Sequence, residues 1–200
     1  MKLLILGGSG FVSGRLAQIA TAQGHEVWCV TRGNRPIPEG VHALMCDAHD
    51  PAALRAALAS TQLQWDAALD CICRDAASAS VDLSVLPAFT NRLLVISTDS
   101  VYHPAYKRVP QDETGVYLHD GGYGSSKRQM EEVFLDDALR LHGERQPALF
   151  TADERTALRE LVRLGSPNWE ILYRLFQEKG VHPLSFLQIR VFMELFTDIC

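Results

Sequence analysis

Blocks of aliphatic residues alternate along the first hundred positions with stretches whose apolar residues recur every three or four positions, a pattern that predicts a strand-helix repeat. Leu3-Leu4-Ile5-Leu6 is an apolar run of strand length, and after a glycine turn Leu16, Ile19 and Ala20 follow at helical spacing. Gly24 stops that helix, and residues 26–30 read as a second, largely buried strand. Residues 41–46 form a short third strand. Asp50-Pro51, an N-cap followed by proline at the first helical position, opens an alanine-rich helix through Leu58. Residues 66–72 read as a fourth strand, 76–89 as a helix whose apolar face includes Val81, Val85 and Leu86, and 92–97 as a fifth strand. Strands and helices alternating through short connections demand a parallel sheet with right-handed crossovers: an α/β, doubly wound fold with ligands at the carboxyl ends of its strands.

Beyond the fifth strand the texture changes. A helix runs over residues 123–142, residues 146–150 are at most a stub of a sixth strand, and Thr151-Ala152-Asp153-Glu154 reads as a capping box opening a helix to Leu164. Further helices follow over residues 166–179 and 185–198. Their apolar residues, Trp169, Phe176, Phe192 and Phe196 among them, exceed what solvated helices need, so a short helical extension over 151–200 is expected to pack on the sheet, on itself or on a second copy.

The 200 residues are 47% hydrophobic, enough for one good core. A net charge of −5 with both signs interspersed gives no bulk-charge reason to expect a nucleic-acid or membrane partner, which favours small-molecule chemistry. Met1 leads directly into the first strand and no apolar run approaches membrane-spanning length, so a cytoplasmic protein is expected. The five cysteines, Cys29, Cys46, Cys71, Cys73 and Cys200, make disulfides an unneeded assumption. Cys71 and Cys73 read as one face of a strand; no second cluster completes a metal site, and none is expected.

Gly7-Gly8-Ser9-Gly10 follows the first strand and precedes the first helix. A turn that brings backbone amides to a pyrophosphate leaves no room for a Cβ at Gly7 or Gly10, and the helix N-terminus adds partial positive charge. The second strand ends in Thr31-Arg32-Gly33-Asn34-Arg35, where an acidic residue would favour an unphosphorylated ribose. Arg32 and Arg35 suit a 2′-phosphate, so NADP is preferred over NAD, the alternative being a solvated basic loop. Asp47 ends the third strand, where it either reaches an adenine edge or terminates the strand.

The fifth strand runs into Ser97-Thr98-Asp99-Ser100-Val101-Tyr102, and Tyr123-Gly124-Ser125-Ser126-Lys127 opens the next helix. Residues four apart share a helix face, so the Lys127 ammonium can favour the Tyr123 phenolate and bring a phenol of pKa about 10 into working range. A Thr98 hydroxyl can orient the substrate oxygen. Each element also has a plainer reading, Tyr123 and Lys127 as an exposed helical pair and Thr98 as a turn cap.

In these three ordered motifs the chain resembles the extended short-chain dehydrogenase/reductase superfamily, the NAD-dependent epimerase/dehydratase family, over about its first three quarters. The resemblance implies a Rossmann-like NAD(P)-binding domain over 1–150. It implies that Gly7, Gly10, Phe11 and Val12 form the cofactor loop and that Thr98, Tyr123 and Lys127 are catalytic, Lys127 also binding the nicotinamide ribose. The expected activity is hydride transfer at a carbinol or carbonyl carbon of a small molecule, such as a nucleotide sugar. Three departures qualify it: Ser13 stands at the third glycine position, Ser100 replaces the glutamate of the dehydratases, and no Arg-Pro motif follows a sixth strand. The second departure argues against sugar dehydration. The third leaves open a non-catalytic NAD(P)-binding sensor or partner-binding protein that has lost its substrate domain.

Overall fold

Leu4, Ile5 and Leu6 are completely buried because β1 (Lys2–Leu6) is the middle strand of a five-stranded parallel sheet. The computed structural model describes residues 1–109, 111 and 115–145, with side chains as far as residue 137. The other strands are β2 (Glu26–Thr31), β3 (His42–Met45), β4 (Ala67–Asp70) and β5 (Leu93–Val95), in the spatial order β3-β2-β1-β4-β5. The order reverses at β1, where Leu6 is in register with Val30 on one side and Asp70 on the other. In a doubly wound sheet the carboxyl ends of the strands at such a reversal are the usual ligand position.

The helices are α1 (Phe11–Ala22), α2 (Pro51–Ser60), α3 (Ala76–Val85) and α4 (Tyr123–Arg145). Successive strand side chains point to opposite faces, so the continuous apolar runs divide into two cores. Leu4, Leu6, Val30 and Ala68 pack with Leu54 and Leu58 of α2 and Val85 of α3. Ile5, Val27, Cys29 and Leu69 pack with Ala17 and Ala20 of α1. The Asp50 carboxylate caps α2 by accepting the N–H groups of Ala52 and Ala53, as the Asp50-Pro51 pair predicts. The described chain gathers into two compact units, one built from residues 1–73 and 80–96 and the other from residues 74–79 and 97 onward.

Several boundaries differ from the periodicity. The fourth strand stops at Asp70, because its side-chain oxygen accepts the N–H groups of Ile72 (2.6 Å) and Cys73 (2.8 Å) and bends the chain there. Cys71 and Cys73 therefore lie beyond the strand, not on one face of it, and the four cysteines among the described residues form no disulfide. α3 ends at Val85 and tightens into a 3-10 turn over Leu86–Ala88, since Pro87 has no N–H to continue the helix. The fifth strand shortens to three residues and gives way to a 3-10 turn, Asp99–Val101. The strand stub at 146–150 and the helices expected over 151–200, with their interface to a second copy, lie outside the described residues. Among the described residues no helix is long and apolar enough to cross a membrane.

Candidate active site

The glycine turn after β1 is held by its own backbone. Gly7 has φ +115° and donates its N–H to the Val30 carbonyl at 2.9 Å; Gly8 has φ +87°, a region that residues with a Cβ rarely adopt. A Cβ added to Gly8 would stand 2.5 Å from the Cβ of Cys29, and one on Gly7 3.1 Å from Ile72. Gly10 is the N-cap of α1, and its N–H donates to the Ser13 hydroxyl at 3.1 Å. Ser13 is buried, so the serine at the third glycine position both fits the packing and ties the turn to the first turn of the helix. Because the Gly7 and Gly10 amides are engaged, the amides that the helix start leaves without intrahelical partners are those of Phe11, Val12 and Ser13. The Phe11 side chain is exposed, and α1 has no acidic residue in its first turn to compete with an anion.

At the end of β2 the buried Thr31 accepts the Gly33 N–H on its hydroxyl at 3.2 Å, closing a turn in which Gly33 has φ +76°. Arg32 and Arg35 are exposed on that turn. Asp47 is exposed after β3, and its carboxylate accepts the His49 N–H at 3.0 Å.

In the second unit, Thr98 caps the Asp99–Val101 turn by accepting the Ser100 N–H at 3.2 Å, so its own O–H remains available to donate elsewhere. Tyr123 begins α4 and is 63% exposed, whereas Lys127 one turn on is 3% exposed, its ammonium 3.4 Å from the Met130 sulfur. Gly124, between them, presses on the Ser100 carbonyl so closely that no Cβ fits. The helix start is fixed by Asp120, whose carboxylate accepts the Gly122 N–H at 2.8 Å and the Ser125 hydroxyl at 2.9 Å. Those two bonds hold its pKa below the usual carboxylate range. The Thr98 segment and the Tyr123/Lys127 face thus belong to one packed body.

A family model described as the NAD dependent epimerase/dehydratase family matches residues 3–138. The chain belongs to that family. A curated relative, 2'-dehydrokanamycin reductase of Streptomyces kanamyceticus, is 32% identical over 135 residues, 66% of this chain and 37% of that protein. Among solved structures, UDP-glucose 4-epimerase of Thermotoga maritima, determined with UDP-glucose, superposes with a TM-score of 0.61 at 18% identity, over 72% of this chain and 52% of the other. The UDP-glucose 4-epimerase of Bifidobacterium longum, in complex with NAD+ and UDP, gives 0.60 at 18% identity over 70% and 50%. At that identity the structures speak for the fold alone, and this epimerase/dehydratase-family chain spans about half the length of those structures.

Two features of this family member escaped the sequence reading. Gly8, as well as Gly7, requires glycine; the signal was the doubled glycine directly after an apolar run. The second is a polar network beneath α4. Arg128 is 1% exposed, its guanidinium lies 3.8 Å from the centre of the Tyr117 ring, and it pairs with Glu131 and Glu132 at 3.2 Å each. The Ser97 hydroxyl hydrogen-bonds the Glu131 carboxylate. Only the i, i+4 step from Lys127 to Glu131 hinted at it.

Among the described residues, Asp70, Cys73 and Asp82 form one buried group with ligating atoms within 4.8 Å of one another. Asp70 already accepts two backbone N–H groups, and Asp82 is hydrogen-bonded to Asp70.

Proposed function

We propose that this chain is the cofactor-binding and proton-transferring part of an oxidoreductase or epimerase that acts, with NADP(H) in preference to NAD(H), on a carbonyl or carbinol of a small polar molecule. The observation that carries the reading is the fastening of Gly124 against the Ser100 carbonyl, which packs the helix bearing Tyr123 and Lys127 onto the segment bearing Thr98. The glycine turn fits a dinucleotide: Gly7, Gly8 and Gly10 supply conformation and clearance, and the Phe11 and Val12 amides with the α1 N-terminus receive the diphosphate. Arg32 and Arg35, exposed and without an acidic neighbour in that turn, receive a 2′-phosphate; Thr31 shapes the turn, and Asp47 borders the adenine.

When bound, the nicotinamide supplies or accepts the hydride at the substrate carbon. The chain's own residues handle the oxygen. In the reducing direction Tyr123 gives its phenolic proton to the substrate oxygen as the carbinol forms, and recovers one from solvent. Lys127 stabilises the phenolate left behind and binds the nicotinamide ribose. Thr98 donates a hydrogen bond to the same oxygen. A partner carboxyl pair for eliminating water is missing at Ser100, which favours carbonyl reduction or epimerisation over dehydration.

Calorimetry with NADP+ and NAD+ in parallel, followed by assays with 2'-dehydrokanamycin plus NADPH and with UDP-galactose, tests the reading. The expected result is binding at millimolar or tighter, with turnover of one probe lost by about a hundredfold or more in Tyr123→Phe while binding persists. No binding of either dinucleotide, or turnover retained in Tyr123→Phe, overturns it. Binding without turnover of any probe would instead support a dinucleotide-binding sensor.

A further inference from the structure

We propose that Glu131 is a positioning residue, which through Ser97 fixes the Thr98 segment against the helix face that carries Tyr123 and Lys127. The inference rests on the reading of those three residues as the reacting set, and goes beyond it by assigning the part that aligns them.

Tyr123, Lys127 and Glu131 follow one another at steps of four along α4 and so share one helix face. Glu131 is held from two sides. One carboxylate oxygen accepts the Ser97 hydroxyl, and the other lies 3.2 Å from the guanidinium of the buried Arg128, itself stacked on Tyr117. Tyr117 stacks in turn on Tyr102, with ring centres 5.2 Å apart, just beyond the Asp99–Val101 turn. Ser97 directly precedes Thr98 in the chain.

The Thr98 segment is therefore fastened to α4 at two places. Near the helix start Gly124 sits on the Ser100 carbonyl, and two turns further on Glu131 takes Ser97. Tyr123 and Lys127 lie on the same stretch of helix. A single fastening would leave the segment free to pivot about it; two define both its distance and its direction. Hydrogen-bond donors and acceptors in a proton-transfer site need placement within a fraction of an ångström, so the second fastening bears on rate more than on cofactor affinity.

The experiment compares wild type with Ser97→Ala, Glu131→Ala, their double variant and Glu131→Gln, by amide hydrogen exchange and by turnover of the probes named above. Expected is at least about tenfold faster exchange over residues 97–101 in both alanine variants, no further gain in the double variant, and unchanged exchange in β1, β2 and β4. Glu131→Gln, which keeps an acceptor for Ser97, should recover most of the protection. Where turnover is measurable, kcat should fall about tenfold in the alanine variants with NADP+ affinity unchanged. Exchange over 97–101 that stays at the wild-type rate, or that rises equally in the sheet, overturns the proposal, as does an additive double variant. Wild-type protein that turns over no probe counts against the proposed activity alone, since the exchange measurement still decides whether Glu131 holds the segment.

Discussion

Asp82 on α3 hydrogen-bonds, side chain to side chain, with Asp70 at the end of β4, and each is only 2% exposed. Burial first, and the charge and hydrogen bond of Asp70 next, push the Asp82 pKa up to about 10, against a smaller opposing effect of the Cys73 thiol. Asp82 therefore keeps a proton that an exposed carboxyl would release at neutral pH.

In the unfolded chain Asp82 titrates near 4, so between that value and about 10 the folded protein binds a proton that the unfolded one has released. The contribution is fully stabilising below the unfolded pKa and is lost as pH rises towards the folded one. Asp82→Asn should therefore match wild type near pH 4 and exceed it at pH 8 by on the order of 1 to 3 kcal/mol. Urea unfolding at both pH values checks this; a difference that does not grow with pH would count against a proton retained on Asp82.

The glycine turn separates conformation from clearance. Gly7→Ala forces a residue with a Cβ to φ +115° against Ile72 and should cost about 1 to 3 kcal/mol of stability together with dinucleotide binding. Gly10, at φ −81°, tolerates alanine, and Gly10→Ala should melt within a few degrees of wild type while NADP+ binding weakens by about tenfold or more. Melting curves and calorimetry on both variants distinguish the two effects.

Arg32 and Arg35 sit on the exposed turn after β2. Replacing both by alanine should weaken NADP+ by about tenfold or more and leave NAD+ nearly unaffected, and the wild-type preference should shrink with added salt. Equal losses for the two dinucleotides would show that these arginines do not read the 2′ position.

Arg128 is the largest fully buried side chain among the described residues, and its removal leaves Glu131 and Glu132 facing a hole. Arg128→Ala should destabilise by about 3 kcal/mol or more, measurable by denaturant titration. Retained stability would mean that water replaces the guanidinium at no cost.

Repeated apolar runs, the glycine turn and Asp50-Pro51 determined the order of elements and the parallel, doubly wound class by local means: strand and helix periods differ, and only glycine takes Gly7's backbone conformation. The same locality singled out Thr98, Tyr123 and Lys127 as candidates, since one strand end and one helical step of four bring them to notice. What tertiary structure alone decided are the long-range pairings. That Gly8 must clear Cys29, that Ser13 ties the turn, that Asp70 ends β4 and hydrogen-bonds Asp82, and that Arg128 is buried above Tyr117 depend on residues brought together only by folding. A polar side chain's role is set by which partner reaches it after water has been excluded, and spacing along a chain carries no record of that.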